Sequence, residues 1–264
     1  MSLDWALNDR RVVVVTGASQ GIGRAIAVRF GSEGDAVVLA ARNREGLEET
    51  AADVDEAGGA AMVVETDVTS ESSVGQMVDL VMQDHGRIDV VVNNSGVGGP
   101  SGKLWELARE EWRATFDVNV FGVFNVVHAI LPVMIAQKTG TVIIVGSITG
   151  KRPLYGRSSY ATSKAALIGL TRTLALETGP EGVRVNLVSP GFVAGPRLDW
   201  VIRAQAASRG ISEQDVRKEF EEESALLRLT EPIDVADTVV YLASEEAGAI
   251  TGADINVNSG VVMY

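Results

Sequence analysis

The 264-residue sequence predicts an α/β fold: a single-domain, doubly wound parallel sheet of about seven strands, Rossmann-like, with helices on both faces. Three observations carry this. Short runs such as Arg11 to Thr16 (RVVVVT) are continuously β-branched after the arginine, as expected of a strand buried on both faces. Such runs alternate with helical patterns along the chain, the order that builds a parallel sheet. The first run also passes directly into Gly17-Ala18-Ser19-Gln20-Gly21-Ile22-Gly23 and then a helical pattern. Strand, glycine turn and helix is an arrangement in which backbone N–H groups and a helix N-terminus hold a pyrophosphate. Gly17 would allow the tight turn, Gly21 the approach of phosphate and Gly23 close helix–strand packing. A glycine triplet by itself is equally ordinary turn chemistry; its position between a first strand and a first helix is what gives it weight.

The elements follow in order. A helix over Arg24 to Glu33 leads to a strand at Ala36 to Ala41. A dinucleotide fold reads its ribose just beyond that strand, and an acid there would accept from the 2′-OH of NAD. Here Ala41 is followed by Arg42 and Asn43, and a guanidinium beside a small neutral residue suits a 2′-phosphate. The expectation is NADP(H) rather than NAD(H), the alternative being that Arg42 is a solvated loop residue. Glu45 to Ala57 reads as an amphipathic helix and Ala60 to Glu65 as a strand ending in Thr66-Asp67-Val68. Asp67 could bond an adenine amino group or cap the helix that begins near Ser70. That helix runs to His85, and Ile88 to Val92 is a strand entering Asn93-Asn94-Ser95-Gly96.

From Leu104 to Lys138 the pattern is helical, with Asn119 set among Val118, Val120 and Phe121. Such an amide needs partners if buried. Thr141 to Val145 is a further strand ending in Gly146-Ser147, which puts Ser147 at the ligand side of a parallel sheet. Ser158 to Gly179 reads as a long helix stopped by Gly179-Pro180. Val183 to Val188 is a sixth strand, followed by Ser189-Pro190-Gly191, and Asp254 to Val257 is the last. Between them Pro196 to Thr230 breaks the alternation with two short charged helices, an expected lid over 196–230, before a helix at Asp234 to Ala243.

Near the start of the long helix, Tyr160 and Lys164 stand four residues apart, on one face. An ammonium favours the phenolate and lowers the phenol's pKa, which makes Tyr160 an acid/base candidate. With four tyrosines in the chain the pair alone is weak, since chance produces it often. Composition narrows the classes. A net charge of −12 argues against nucleic acid or an anionic membrane as partner. The absence of cysteine excludes disulfides, thiolate catalysis and Cys-ligated zinc. His85 and His128 have no second ligand at metal spacing, so no metal is expected and both read as structural. The first fifteen residues lack a signal-peptide core, and the apolar run from Phe124 to Ala136 is too short to span a bilayer. A soluble, cytoplasmic protein is the expectation.

In order and spacing, Thr16-Gly17-xxx-Gly21-x-Gly23, Asp67-Val68, Asn93-Asn94-Ser95-Gly96, Asn119, Ser147, Tyr160-xxx-Lys164 and Pro190-Gly191 resemble the short-chain dehydrogenase/reductase family over nearly the full length. The nearest look-alikes are ketoacyl-carrier-protein-reductase-like members. The resemblance implies an NADP(H)-dependent interconversion of a small-molecule carbonyl and a secondary alcohol. Tyr160 would be the acid/base, and Lys164 would lower its pKa and hold the nicotinamide ribose. Ser147 would bond the substrate oxygen, and Asn119 would support a water linking Lys164 to solvent. It also implies cofactor contacts from Gly17, Ser19, Gln20, Gly21, Ile22, Gly23, Arg42, Asn43, Asp67, Val68, Asn93, Gly96, Pro190, Gly191 and Val193, and a homotetramer. The apolar Leu167/Leu170/Leu174 and Val123/Val126/Val127 faces are compatible with subunit contacts or with core.

Two departures stand out: Ser19-Gln20 carries no base where NADP-using relatives often have one, and Gly195 replaces a threonine that bonds the nicotinamide amide. Backbone groups around Val193 are the expected compensation. The substrate side is drawn from Ser147, Ile148, Thr149, Leu154, Tyr155 and Trp200, with Trp200 as apolar wall or lid-packing residue. Arg152 and Arg203 would meet an anionic substrate or simply be exposed. The competing classes are an NAD-dependent member of the same family, a non-catalytic dinucleotide-binding regulator, a serine hydrolase and a sugar-nucleotide epimerase. The hydrolase lacks a Gly-x-Ser-x-Gly elbow, and the epimerase lacks an added C-terminal domain.

Overall fold

The valines of the first strand divide between two cores, and the rest of the architecture follows from that division. In the computed structural model, which describes residues 10–264, β1 (Val12–Thr16) sends Val12 and Val14 to one face and Val13 and Val15 to the other. Fully burying a valine contributes about 1.5–3 kcal/mol, so a run with no polar member belongs between two helical layers. The remaining strands are β2 (Ala36–Ala41), β3 (Ala60–Glu65), β4 (Val90–Asn93), β5 (Gly140–Val145), β6 (Val183–Pro190) and β7 (Asp254–Val257). They form a seven-stranded sheet in the order β3-β2-β1-β4-β5-β6-β7, with every pairing parallel. Order reverses between β1 and β4, which opens a crevice beyond their carboxyl ends.

One face is covered by α3 (Glu71–His85), α5 (Gly122–Gln137) and α6 (Ser158–Thr178), whose Met77, Val81, Val126, Ile130, Met134 and Leu167 are buried on the sheet. The other face carries α1 (Gly21–Ser32), α2 (Arg44–Glu56) and α9 (Pro232–Ala243) through Ile26, Phe30, Leu47, Val54, Val235 and Val239. α4 (Arg109–Phe116) continues through a π-turn at Asp117–Phe121 into α5. α7 (Pro196–Arg209) and α8 (Glu213–Glu222) enclose a separate cluster of Leu198, Ile202, Ala206, Val216 and Leu229.

Some boundaries differ from the sequence expectation. α1 begins at Gly21, inside the glycine motif, rather than at Arg24. Leu104 to Lys138 is not one helix: a 3-10 turn at Leu104–Glu106 precedes α4, and the π-turn interrupts the rod. The rod Arg109–Gln137 is, by length and composition, long and apolar enough to cross a membrane, contrary to what the Phe124 to Ala136 run alone indicates. Here Val126, Ile130 and Met134 bury that character against the sheet. Val123, Val126, Val127 and Leu167 are likewise core, with Leu170 and Leu174 half-buried against it, the second of the two readings those faces allow. The exposed apolar residues of these helices are instead Phe121, Phe124 and Leu176.

Candidate active site

The crevice at the carboxyl ends of β1 and β4 is built first by glycines. Gly17 has φ +66° and Gly21 φ +57°, a region that side chains with a Cβ rarely adopt. A Cβ on Gly23 would lie 2.1 Å from the Gly17 carbonyl oxygen and 2.5 Å from Asn94 Nδ2, so only glycine lets α1 start this close to the turn. A Cβ on Gly21 would meet nothing within 4 Å, so that side of the turn faces open space. Gln20 gives no side-chain cap to α1, and the first-turn N–H groups are left for another acceptor. Asn94 braces the turn from β4, its Nδ2 donating to Thr16 O (3.0 Å) and Gly17 O (3.2 Å), while the Thr16 hydroxyl accepts from the backbone of Asn94 and Ser95.

Across the crevice, α6 presents Tyr160 and Lys164 one turn apart. Lys164 is 5% exposed, and its Nζ donates to the Val145 carbonyl at 2.8 Å. Burial, together with Arg197, pushes this ammonium's pKa down against the opposing pull of Tyr160. Burial raises the Tyr160 phenol, but Lys164, Arg197, the adjacent Ser147 hydroxyl and Arg157 outweigh it, and the phenol sits below its ordinary value. Ser147 ends β5 in extended backbone, and its Oγ also accepts from Thr149 N at 3.1 Å. Asn119, fully buried in the π-turn, accepts from Val97 N (2.8 Å) and donates to Val97 O (3.0 Å) and Ser163 Oγ (3.0 Å). Ser163 in turn donates to the Tyr160 carbonyl at 2.8 Å. The Asn119 amide is thus engaged at both ends and ties the loop after β4 to α6. A Cβ on Gly96 would lie 3.3 Å from Asn119 Oδ1 and 3.5 Å from Lys164 Nζ, so the glycine keeps the passage between turn and lysine open. Ser147, Tyr160 and Lys164 thus lie together at the end of β5, and Asn119 reaches α6 through Ser163.

Residues 17–262 match the family model described as enoyl-(acyl carrier protein) reductase. The 3-oxoacyl-[acyl-carrier-protein] reductase of Thermotoga maritima is 34% identical over 256 residues, which cover 96% of this chain and 98% of the relative. The chain belongs to the short-chain dehydrogenase/reductase family. Among solved structures, an actinorhodin polyketide ketoreductase variant with NADPH is similar at TM-score 0.93 and 34% identity, covering 97% of this chain and 99% of that one. NAD+-bound xylitol dehydrogenase is similar at TM-score 0.90 and 32% identity, covering 95% and 98%. The chain is thus an NAD(P)-dependent oxidoreductase of this family, of the ketoacyl-carrier-protein-reductase-like kind.

The fit to a dinucleotide extends along a cavity of about 240 Å³ lined by Ser19, Gln20, Arg42, Asn43, Asp67, Val68, Ser95 and Gly96, among others. Arg42 is exposed beside it, and Ser19 and Gln20 add no charge. Asp67 accepts from the Thr69 N–H and hydroxyl, and these bonds together with nearby Arg42 hold its carboxyl below the usual range despite burial. Asn43 caps α2 through Gly46 N. Ile22 is half-buried against the α1 core, and the Val68 side chain is buried, its carbonyl accepting from Asn125. Asn93, taken from sequence as a cofactor contact, turns inward: it is 2% exposed and its Nδ2 has no partner, while its neighbour Asn94 holds the turn. In a strand apolar on both sides, alternation gives no parity to choose between the two asparagines.

Beyond β6, Gly191 donates to Val257 O, and Val193 bridges Thr230. Gly195 adopts φ 135° and ψ 179°, a conformation that is essentially glycine's own, so a threonine is disfavoured there by backbone as well as absent from the sequence. Of the substrate-side residues, Thr149 is half-buried beside Ser147, whereas Tyr155 is 83% and Trp200 61% exposed. Trp200 stands outside the cluster between α7 and α8, so it is not the lid-packing residue. Arg152 pairs with Glu223 at 2.9 Å, and Arg203 is exposed. The residues missed by sequence are Arg157 and Arg197, whose guanidinium carbons each lie 5.5 Å from the Tyr160 ring centre. Spacing could have found the first: Arg157, Tyr160 and Lys164 fall at i, i+3 and i+7, one helical face. Among the described residues, no group of three or more His, Asp or Glu could hold a metal.

Proposed function

We propose that this oxidoreductase interconverts a small-molecule carbonyl and a secondary alcohol, with NADP(H) preferred to NAD(H) and Tyr160 as the acid/base. The observation that carries the reading is the meeting of a buried ammonium, a serine hydroxyl and a phenol of lowered pKa at the open end of the glycine crevice. Residues of the glycine turn would hold the dinucleotide's pyrophosphate, and the nicotinamide would supply or accept the hydride when bound. In reduction Tyr160 Oη donates the proton to the carbonyl oxygen, and in oxidation it withdraws it. Ser147 Oγ orients that oxygen, Lys164 stabilises the phenolate, and Asn119 positions α6 against the loop after β4. Thr149, Tyr155 and Trp200 border the substrate side. The test is NADPH oxidation over a panel of ketones: Tyr160→Phe should cut turnover about 10²-fold or more while NADPH still binds. Undiminished turnover would refute the role.

Arg42, with no acid at the end of β2, supports NADP(H). Asp67 lies within electrostatic reach of Arg42, and this partial neutralisation favours the NAD reading as the second choice. Arg42→Ala should raise KM for NADPH about tenfold or more and leave that for NADH nearly unchanged. A wild-type enzyme with higher kcat/KM for NADH would reverse the preference. The same reading takes residues 1–264 as one dinucleotide-binding and catalytic domain with α7 and α8 as its lid. It treats the protein as a cytoplasmic homotetramer without nucleic-acid or membrane partners. The exposed Phe121, Phe124 and Leu176 support subunit contact.

A further inference from the structure

Tyr160 is surrounded by positive charge only. Lys164 Nζ lies 6.0 Å from the ring centre, and the guanidinium carbons of Arg157 and Arg197 lie 5.5 Å from it. Both arginines add to Lys164 in favouring the phenolate, but their own surroundings set them apart from the other arginines nearby. Around the lid, Arg152, Arg209, Arg217 and Arg228 each pair with a carboxylate. Arg157 and Arg197 do not. Arg157 donates to Gly98 O (2.6 Å) and Ser101 Oγ (2.8 Å), and its Nε is buried with no acceptor. Arg197 makes no hydrogen bond or ion pair among the described residues. A Cβ placed on Gly98 would lie 2.8 Å from an Arg197 nitrogen and 2.9 Å from an Arg157 nitrogen, so both forks reach the same small space beside the loop. Burial and then the neighbouring Arg197 lower the Arg157 pKa. In a chain of net charge −12, two mutually repelling guanidiniums held together without an acid form a local positive well.

We propose that Arg157 and Arg197 form an oxyanion-binding subsite, and that the substrate is a small carbonyl compound bearing a carboxylate or sulfonate a few bonds from the reacting carbon. This rests on the oxidoreductase reading and names the substrate class of the same site. Planar forks with several donors suit a group that presents two or three oxygens. The exposed Leu154 and Tyr155 adjoin this corner on the segment before α6, where Gly102 N donates to Gly156 O at 2.9 Å. They would meet the carbon body of the substrate. Arg197 is the specificity residue to alter, because Arg157 also holds the Gly98 loop.

The experiment compares two matched pairs of probes: 3-oxobutanoate with its methyl ester, and 2-oxopropanesulfonate with 2-oxopropyl methyl sulfone. With the wild type, at least one anionic member should exceed its neutral partner in kcat/KM by about 30-fold or more, mainly through KM. Preference in one pair only identifies which oxyanion fits. Arg197→Gln should shrink that ratio by about tenfold or more, and Arg197→Lys should restore part of it. A ratio is read because any effect of Arg197 on the Tyr160 pKa bears equally on both members of a pair. Reduction of neutral ketones without an anionic preference, or a ratio unmoved in Arg197→Gln, overturns the subsite and leaves the oxidoreductase reading intact. Failure of every carbonyl with both NADPH and NADH overturns that reading and the subsite with it.

Discussion

At the scale of single residues, the site is governed by how charge is placed around one phenol. On the proposed acid/base role, the phenolate would be the working form in alcohol oxidation, so kcat/KM should rise with pH through the Tyr160 pKa, which Lys164, Arg197, Ser147 and Arg157 hold below its ordinary value. Removing Arg197 takes away a charge that favours the phenolate, so in Arg197→Ala the rising limb moves to higher pH. A pH–rate profile with a neutral alcohol measures this, and an unmoved limb would mean the guanidinium is not felt by the phenol. Much of this chemistry was legible beforehand, because Tyr160, Lys164 and Ser147 are fixed by spacing along adjoining elements. Arg197 was not, since it arrives from beyond β6 and nothing in the local sequence of α7 distinguishes it from the paired Arg209. Asn94 was missed for a different reason: its neighbour Asn93 has the same chemistry, and only the pleat decides which one faces the turn.

At the scale of elements, the pattern of β-branched runs defines the strands well because β1, β2, β4, β5 and β6 are buried on both faces, the edge strands β3 and β7 being half-buried. The elements that depart from expectation sit at the site. α1 starts within the glycine motif, and the rod around Asn119 contains a π-turn, an insertion often found at functional positions. Neither has a hydrophobic period to betray it. Gly21 and Gly34 make a useful comparison, since both have positive φ and a Cβ on either would meet nothing within 4 Å. Alanine at each should cost a similar ~1–2 kcal/mol of backbone strain, visible as comparable losses of Tm. Only Gly21→Ala should weaken NADPH binding, by tenfold or so, because its methyl group enters the space where a phosphate passes. Equal binding by the two variants would remove the glycine turn from the cofactor site.

At the scale of the whole molecule, the doubly wound plan was readable from alternation alone, whereas the outer surface was not. The faces of α5 and α6 that look sticky in sequence are spent on the sheet, and Phe121, Phe124 and Leu176 are what remains outside. If the chain assembles as proposed, glutamate at Phe124 and Leu176 together should lower the mass seen by analytical ultracentrifugation from the tetramer toward smaller species, with little change in helical content. A wild-type monomer would dismiss the assembly. α7 and α8, the proposed lid, have their own small core of Leu198, Ile202, Ala206, Val216 and Leu229, and the adjoining segments are bridged at Val193–Thr230. A flap organised this way can come loose while the seven strands stay closed. Its amide protons should therefore trade with solvent through brief local openings, well before those of β1, β4 and β5, and a bound dinucleotide should slow the flap far more than the centre.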